Sequence, residues 1–442
     1  MSGCTVGPDY KKPEAAAPEK FKELGDWVIA KPADAQPKGK WWEVFNDPVL
    51  NGLEEQVAVS NQTLAAAEAR YRQSQAAVQL ARSSLFPSIG ASANAGRGSR
   101  AGNGAANSYS VALDVQWEAD LWGGIRRQVE AARATAEASQ ADLENARLSL
   151  QAQLATSYFL LRVADVQRDL LNDTVKAFQT SLDIANNRYR AGVVGKVDVV
   201  TAESQVRSAQ ADVIDLQVTR AQLEHAIAAL AGQPASTFSL APVKFETAIP
   251  AIPPGVPSTL LERRPDVAGA ERRVAAANAR IGAAEAAYFP SLTLNGSGGF
   301  AGSSLGNLIS APNRVWSLGL GLAATLIDFG ARSAQVESAR AAYDASVADY
   351  RQTVLTSFQE VEDNLATVRW LAQETEVQQE AARLARESVA LTVNQYKAGT
   401  VGYANVLILQ AAQLNQERAL VQLLGRRLSA TVGLIRALGG AW

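Results

Sequence analysis

Arg188-Tyr189-Arg190-Ala191-Gly192-Val193-Val194-Gly195 returns 207 residues later as Gln395-Tyr396-Lys397-Ala398-Gly399-Thr400-Val401-Gly402. The same offset relates Gly123 to Gly330, Ala132-Arg133-Ala134 to Ala339-Arg340-Ala341, Val199 to Val406 and Gly232 to Gly439. Upstream, Phe86-Pro87-Ser88 matches Phe289-Pro290-Ser291 at an offset of 203, as do Ala67-Glu68 and Ala270-Glu271. A long internal repeat of this kind means that one structural design is used twice. The change of offset places four extra residues of the second copy between Ser291 and Gly330, in a loop.

Each copy reads helix, two strands, long helix, tight turn, helix. Asp47-Pro48 starts the first helix, with Asp as N-cap and Pro at the first helical position; the periodic pattern then runs to about Ser83. Pro87 blocks helix, and the period changes to two. Tyr109, Val111, Leu113, Val115 and Trp117 alternate with small or polar residues, as do Trp316, Leu318, Leu320 and Leu322. The expected strands are about 85–97 and 107–119, then 289–300 and 314–326. The long helices are expected over 124–190 and 331–397, the turns at 191–196 and 398–402, and the return helices over 197–231 and 403–438. Repeat 1 therefore spans 48–232 and repeat 2 spans 258–439. Between them, Pro-rich residues 233–257 form a linker, with a short strand around Phe238 to Leu240. Residues 1–47 form an N-terminal tether.

A half-apolar sheet in water needs a core, and Ala-rich helices of this length do not fold back over four short strands. A membrane barrel resolves this by turning the apolar face to lipid and the small polar face to a wet lumen. Four strands cannot close, and an open edge in lipid leaves backbone groups unsatisfied. A barrel would then be shared, with two, three or four copies giving about eight, twelve or sixteen strands. The 66 residues from Gly124 to Tyr189 hold no Pro and span roughly 100 Å as a helix. Leu143, Leu150, Leu154 and Leu161 follow coiled-coil spacing on one face. Leu148, Ala155, Phe159 and Val166 mark a second apolar face, as in a wall of helices. A soluble coiled-coil rod would explain the helices but not the paired strands.

Composition excludes several functions. Of 442 residues, 42 are Lys or Arg and 44 are Asp or Glu, so no basic balance favours nucleic acid. One Cys, one Met and one His rule out an intrachain disulfide and leave no zinc ligand set. His225 lies in an Ala/Leu-rich helix with no catalytic partner. No run of 18 apolar residues exists, so no transmembrane helix is expected. Gly319-Leu320-Gly321 lies within a strand, which disqualifies it as a dinucleotide turn, and Gly195-Lys196 lacks the earlier glycine of a phosphate loop. Arg263-Arg264 reads as salt-linked structure. No catalytic, cofactor or metal residue is expected. Cys4, after two small residues, is either the acylated residue of a lipoprotein or an ordinary unpaired thiol. Pro8, Pro13, Pro18, Pro32 and Pro37 make the following stretch an extended tether.

The chain resembles the outer-membrane efflux channels of diderm bacteria, and among them the lipoprotein members that serve resistance-nodulation-division pumps. The residues that carry this are Cys4-Thr5-Val6-Gly7-Pro8-Asp9-Tyr10, Trp41-Trp42 with Phe45 and Asp47-Pro48, and Leu261-Glu262-Arg263-Arg264-Pro265-Asp266. Ala276-Ala277-Asn278-Ala279-Arg280-Ile281-Gly282 and Phe289-Pro290 complete the set. The resemblance implies an α+β membrane protein: a homotrimer with a twelve-stranded outer-membrane β-barrel continued by a periplasmic helical barrel. The linker and termini would form an equatorial belt. The partners would be a periplasmic membrane-fusion adaptor, an inner-membrane resistance-nodulation-division pump and outer-membrane lipid, with Cys4 as the lipidation site. The duct would do no chemistry.

For the tips, the resemblance implies adaptor contact through Ala191, Gly192, Val193, Val194, Ala398, Gly399 and Thr400. It places Arg188, Tyr189, Asp198, Tyr396 and Asn405 at the closing aperture. Asn405 and Ile408 stand where some members carry Asp, and Val401 where some carry Arg, so an acidic ring and an Arg lock in the second hairpin are not implied. Drug efflux, heavy-metal efflux and type I protein secretion remain open as cargoes.

Overall fold

The computed structural model describes residues 5–14, 18, 20–24, 39–100, 103–245, 247–250, 252 and 263–440. Its elements are α1 (Pro48–Ser60), α2 (Gln62–Ser83), β1 (Ser88–Arg100), β2 (Asn103–Ala119), α3 (Gly124–Arg190) and α4 (Lys196–Leu230). The second set is α5 (Pro265–Ala286), β3 (Ser291–Gly302), β4 (Arg314–Ala323), α6 (Ala331–Ala398) and α7 (Tyr403–Ala437). Cys4 lies outside the described residues.

The chain divides into two compact units that cut across the sequence repeat, each drawing segments from both copies. One comprises Met1–Ala16, Ala67–Leu143 and Asp266–Val354. Its strands form one antiparallel sheet in the order β1-β2-β3-β4. The register aligns Ile89, Val115, Gly296 and Leu318 in one row, and Ala91, Leu113, Gly298 and Trp316 in the next. Because side chains alternate along a strand, an apolar face runs unbroken across all four strands. The opposite face carries Asp114, Ser297 and Ser317 in a row; Ser92 donates to Asp114 at 2.9 Å and the two serines pair at 2.9 Å. Gly299 has to be glycine, because a Cβ there would collide with the backbone at Val111 and Ala112.

In the same unit, residues 6–10 are strapped to α3 and α5. Arg127 donates to the Val6 carbonyl at 3.1 Å and to Asp9 at 3.0 Å, and Asn278 donates to the Pro8 carbonyl at 2.9 Å. Tyr10 donates to Glu271 at 2.5 Å. Gly7 and Gly282 meet backbone to backbone, an approach that a side chain on either would prevent.

The other unit comprises Ala17–Ala66, Glu144–Pro265 and Leu355–Trp442. Trp41, Trp42 and Phe45 are buried, and Phe45 packs on Phe159 with ring centroids 4.7 Å apart. Asp47 caps α1 by accepting from Val49 at 2.9 Å and Leu50 at 3.1 Å, and it also accepts from the Tyr158 hydroxyl at 2.6 Å. Fully buried Asp165 accepts from Arg220 at 2.8 Å and Arg162 at 3.2 Å. The two arginines in turn hold the linker, Arg220 through the Leu240 carbonyl and Arg162 through the Ala241 carbonyl.

Four expectations change. The first helix is two helices: Asn61 is extended at ψ 120, accepts from the Leu64 N–H at 3.0 Å and donates to the Leu230 carbonyl at 2.8 Å, so it ends α1 and starts α2. Phe238–Leu240 is not a strand, because the Leu240 N–H goes to Glu224 and its carbonyl to Arg220, which leaves neither for a ladder. β1 and β3 begin later than expected, since Leu85, Phe86 and Phe289 still close helical turns. β4 stops at Ala323, whose partner Ser291 is the first residue of β3, so 324–326 have nothing to pair with. The extra length of repeat 2 falls between β3 and β4. That connection spans 303–313, whereas β1 ends at Arg100 and β2 begins at Asn103.

Candidate functional site

The two repeated octapeptides end α3 and α6 in the same way. Gly192 has φ 74 and Gly399 φ 81. The Gly192 N–H bonds to the Tyr189 carbonyl and the Val193 N–H to the Arg188 carbonyl, both at 2.9 Å. Gly399 and Thr400 repeat this onto Tyr396 and Gln395 at 3.0 Å. This double reverse bond needs a left-handed residue, which glycine supplies without steric cost. Gly195 and Gly402 then open α4 and α7 with nearly identical extended geometry, φ −80 and −78.

The side chains of the two tips differ. Arg188 donates to the Tyr396 carbonyl, and its guanidinium lies 4.5 Å from the centre of the Tyr396 ring. The Tyr396 and Tyr403 rings lie 5.5 Å apart at 54°. Tyr396, 2 % exposed, and Tyr403 form a small core with Ala185, Ala202 and Val406. Burial raises both phenol pKa values, and the charge of nearby Asp198 adds to each. Tyr403 is pushed up to about 12, so its phenol is neutral at physiological pH. Arg188 pulls Tyr396 partly back. Among the described residues neither hydroxyl has a hydrogen-bond partner. Leaving a buried hydroxyl without a partner costs about 1–3 kcal/mol. Asp198 sits in the first turn of α4, where the helix dipole favours its charge.

The structure thus brings Arg188 and Tyr396 into contact, with Asp198 close enough to act on both tyrosines electrostatically. Tyr189, the repeat counterpart of Tyr396, is 44 % exposed, and Asn405 is exposed as well. Ala191, Gly192, Val193, Ala398, Gly399 and Thr400 form exposed tips, with Val194 half-buried. Sequence reasoning missed Tyr403. The available signal was its repeat counterpart, Lys196: an aromatic replaces a charge at a helix start, the mark of a position turned inward.

The alternating sheet presents an unbroken apolar face, and among the described residues no helix is long and apolar enough to cross a membrane. Residues 53–233 and 256–440 match the outer membrane efflux protein family, and the chain belongs to that family. It is an outer-membrane component of efflux, a conduit and not an enzyme. The pyoverdine export outer membrane protein OpmQ of Pseudomonas aeruginosa is 30 % identical, the match covering 100 % of this chain and 95 % of that one. The probable efflux pump outer membrane protein TtgC of Pseudomonas putida is 29 % identical over 100 % of this chain and 93 % of its own. Among solved structures, the outer-membrane channel OprN superposes with a TM-score of 0.93 at 31 % identity, covering 99 % of this chain and 100 % of that one. The open state of the Neisseria gonorrhoeae channel MtrE superposes at 0.88 with 29 % identity, covering 99 % and 98 %.

Proposed function

We propose that three copies of this chain form one outer-membrane duct, a twelve-stranded barrel continued by a tube of helices. This duct passively conducts drugs or other small toxic compounds from a periplasmic adaptor and an inner-membrane resistance-nodulation-division pump to the exterior. The observation that carries this reading is the sheet. Its apolar face suits lipid, yet β1 and β4 each leave one edge unpaired, and lipid does not tolerate an open edge. Joining β4 of one copy to β1 of the next removes every edge.

In this reading the exposed tips, Val193 foremost, meet the adaptor, and the Arg188–Tyr396 clamp with Asp198 favours the closed aperture. Relatives named for pyoverdine, toluene and cation efflux align with the whole of this chain, which supports the reading that the pump and adaptor select the cargo. A photo-crosslinker at Val193 tests this in cells. Capture of a resistance-nodulation-division adaptor supports it and names the pump. Capture of an adaptor from an ATP-driven secretion system transfers the function to protein export. Capture of sister copies alone removes the tip from the docking surface.

A further inference from the structure

The outer half of the sheet, away from the helices, carries charge of one sign. Residues 86–113 and 286–327 contain no Asp or Glu, yet they hold Arg97, Arg100 and Arg314. Side chains alternate along a strand, so the register assigns two of these arginines to a face. Arg97 shares its face with Ile89, Ala91 and Ala93, and the irregularity in β1 comes only after Gly98. Arg314 shares its face with Trp316, Leu318 and Leu320. Both therefore stand on the apolar face. Both are exposed, and among the described residues neither is paired with a carboxylate.

On that face the arginines border an aromatic belt. Trp316, Phe300 and Tyr109 occupy three successive rows toward the outer end, with Arg314 beside Phe300 and Arg97 one row beyond Tyr109. Aromatic girdles mark the edge of the hydrocarbon in membrane barrels. Arg97 lies eight positions outward of Ile89, and Arg314 eight positions outward of Leu322. Eight residues at about 3.3 Å cover roughly 26 Å along a strand, which after tilting crosses most of an apolar band about 25 Å tall. The two cations thus reach the outer headgroups, the depth at which a lipid-facing arginine is tolerated.

Arg97 is on β1 and Arg314 on β4, the two edge strands. Joining β4 of one copy to β1 of the next places these arginines on neighbouring strands, about 4.8 Å apart. Two like charges beside hydrocarbon repel strongly unless an anion lies between them. A guanidinium takes phosphate through two parallel hydrogen bonds. A glycolipid with two phosphates on one rigid sugar headgroup presents both at fixed spacing, whereas a phospholipid offers a single phosphate on a flexible head.

We propose that each β4–β1 junction binds the phosphates of a bis-phosphorylated glycolipid of the outer leaflet, held between Arg314 of one copy and Arg97 of the next. This rests on the reading of the duct as a closed oligomer and adds the lipid class and the residues that choose it. The test is native mass spectrometry of the full chain in detergent, titrated with bis-phosphorylated lipid A, monophosphoryl lipid A or phosphatidylglycerol. The expected result is up to three bis-phosphorylated lipids per trimer, with roughly tenfold weaker binding of the other two. Arg97→Gln and Arg314→Gln should each weaken the bis-phosphorylated lipid about tenfold, and the double variant little further, because both serve one site. Arg207→Gln, which removes an exposed arginine of α4, should change nothing.

Six lipids per trimer, or single variants that each lose only half of the bound lipid, overturn the shared site. Equal binding of all three lipids, or preference for phosphatidylglycerol, overturns the glycolipid. A trimer without bound lipid overturns the site and leaves the duct. A monomer throughout overturns the closed assembly on which the site depends.

Discussion

Arg188 holds Tyr396 in two ways at once, donating to its backbone carbonyl and covering its ring. One cation from the first hairpin thus fixes both the main chain and the side chain of the second. Arg188→Ala removes both interactions, worth about 1–3 kcal/mol together. The expected outcome is a roughly tenfold rise in open-tip population, read as higher single-channel conductance and sensitivity to bulky antibiotics. Arg188→Lys should restore only part of the closure, because an ammonium does not stack as a planar guanidinium does.

The second hairpin carries Gln395 where the first carries Arg188. Tyr189, the counterpart of Tyr396, accordingly has no cation of equivalent position and remains exposed. Gln395→Arg should install a second clamp. Its signature is lower basal conductance in planar bilayers with unchanged assembly.

Glu54 makes a pH prediction. It is fully buried, neither carboxyl oxygen has a hydrogen-bond partner among the described residues, and burial pushes its pKa from 4.5 up to about 9. The folded state therefore keeps a proton that the unfolded chain releases. That contribution is complete below about pH 4.5 and is lost as pH rises toward 9, at about 1.4 kcal/mol per pH unit at most. Glu54→Gln should match the parent below about pH 4.5 and exceed it by a margin that grows as pH rises from there toward 9. Thermal melts of the detergent-solubilised chain at pH 5, 7 and 9 read the difference; equal gaps at all three would contradict it.

Asp165 is the hub of the linker clamp. Asp165→Ala leaves Arg162 and Arg220 largely buried without their shared carboxylate, a change that costs about 3–5 kcal/mol. Limited proteolysis should then cut faster within residues 242–250, because both arginines that grip Leu240 and Ala241 lose their anchor.

Asn61→Ala should cost about 2–3 kcal/mol, from a lost cap and an orphaned Leu230 carbonyl. Chemical denaturation reads this directly.

Legibility followed from how local each signal was. Gly123, Gly192, Gly330 and Gly399 all take positive φ, and they mark the ends of α3 and α6 because only glycine does this freely. The break at Asn61 was hidden, since its decisive partner, the Leu230 carbonyl, lies 169 residues away. Leu240 misled for a similar reason: a strand-like triplet lost its ladder to Glu224 and Arg220. At the tip, the repeat marked the hairpin and the family resemblance singled out Arg188 and Tyr396, while Tyr403 was missed because it breaks the repeat. The conspicuous Val6-Gly7-Pro8-Asp9-Tyr10 and Asn278 motifs prove to be two halves of one strap.

Gene duplication gives the two hairpins separate histories. A chain of half this length would copy any tip mutation into every hairpin of its assembly. Carrying both copies in one gene lets one hairpin hold Arg188 and Lys196 while the other holds Gln395 and Tyr403 at the matching positions. Inheritance acts on each tip alone, so one hairpin of a chain can change while the other stays as it was, a freedom that a chain with a single copy lacks.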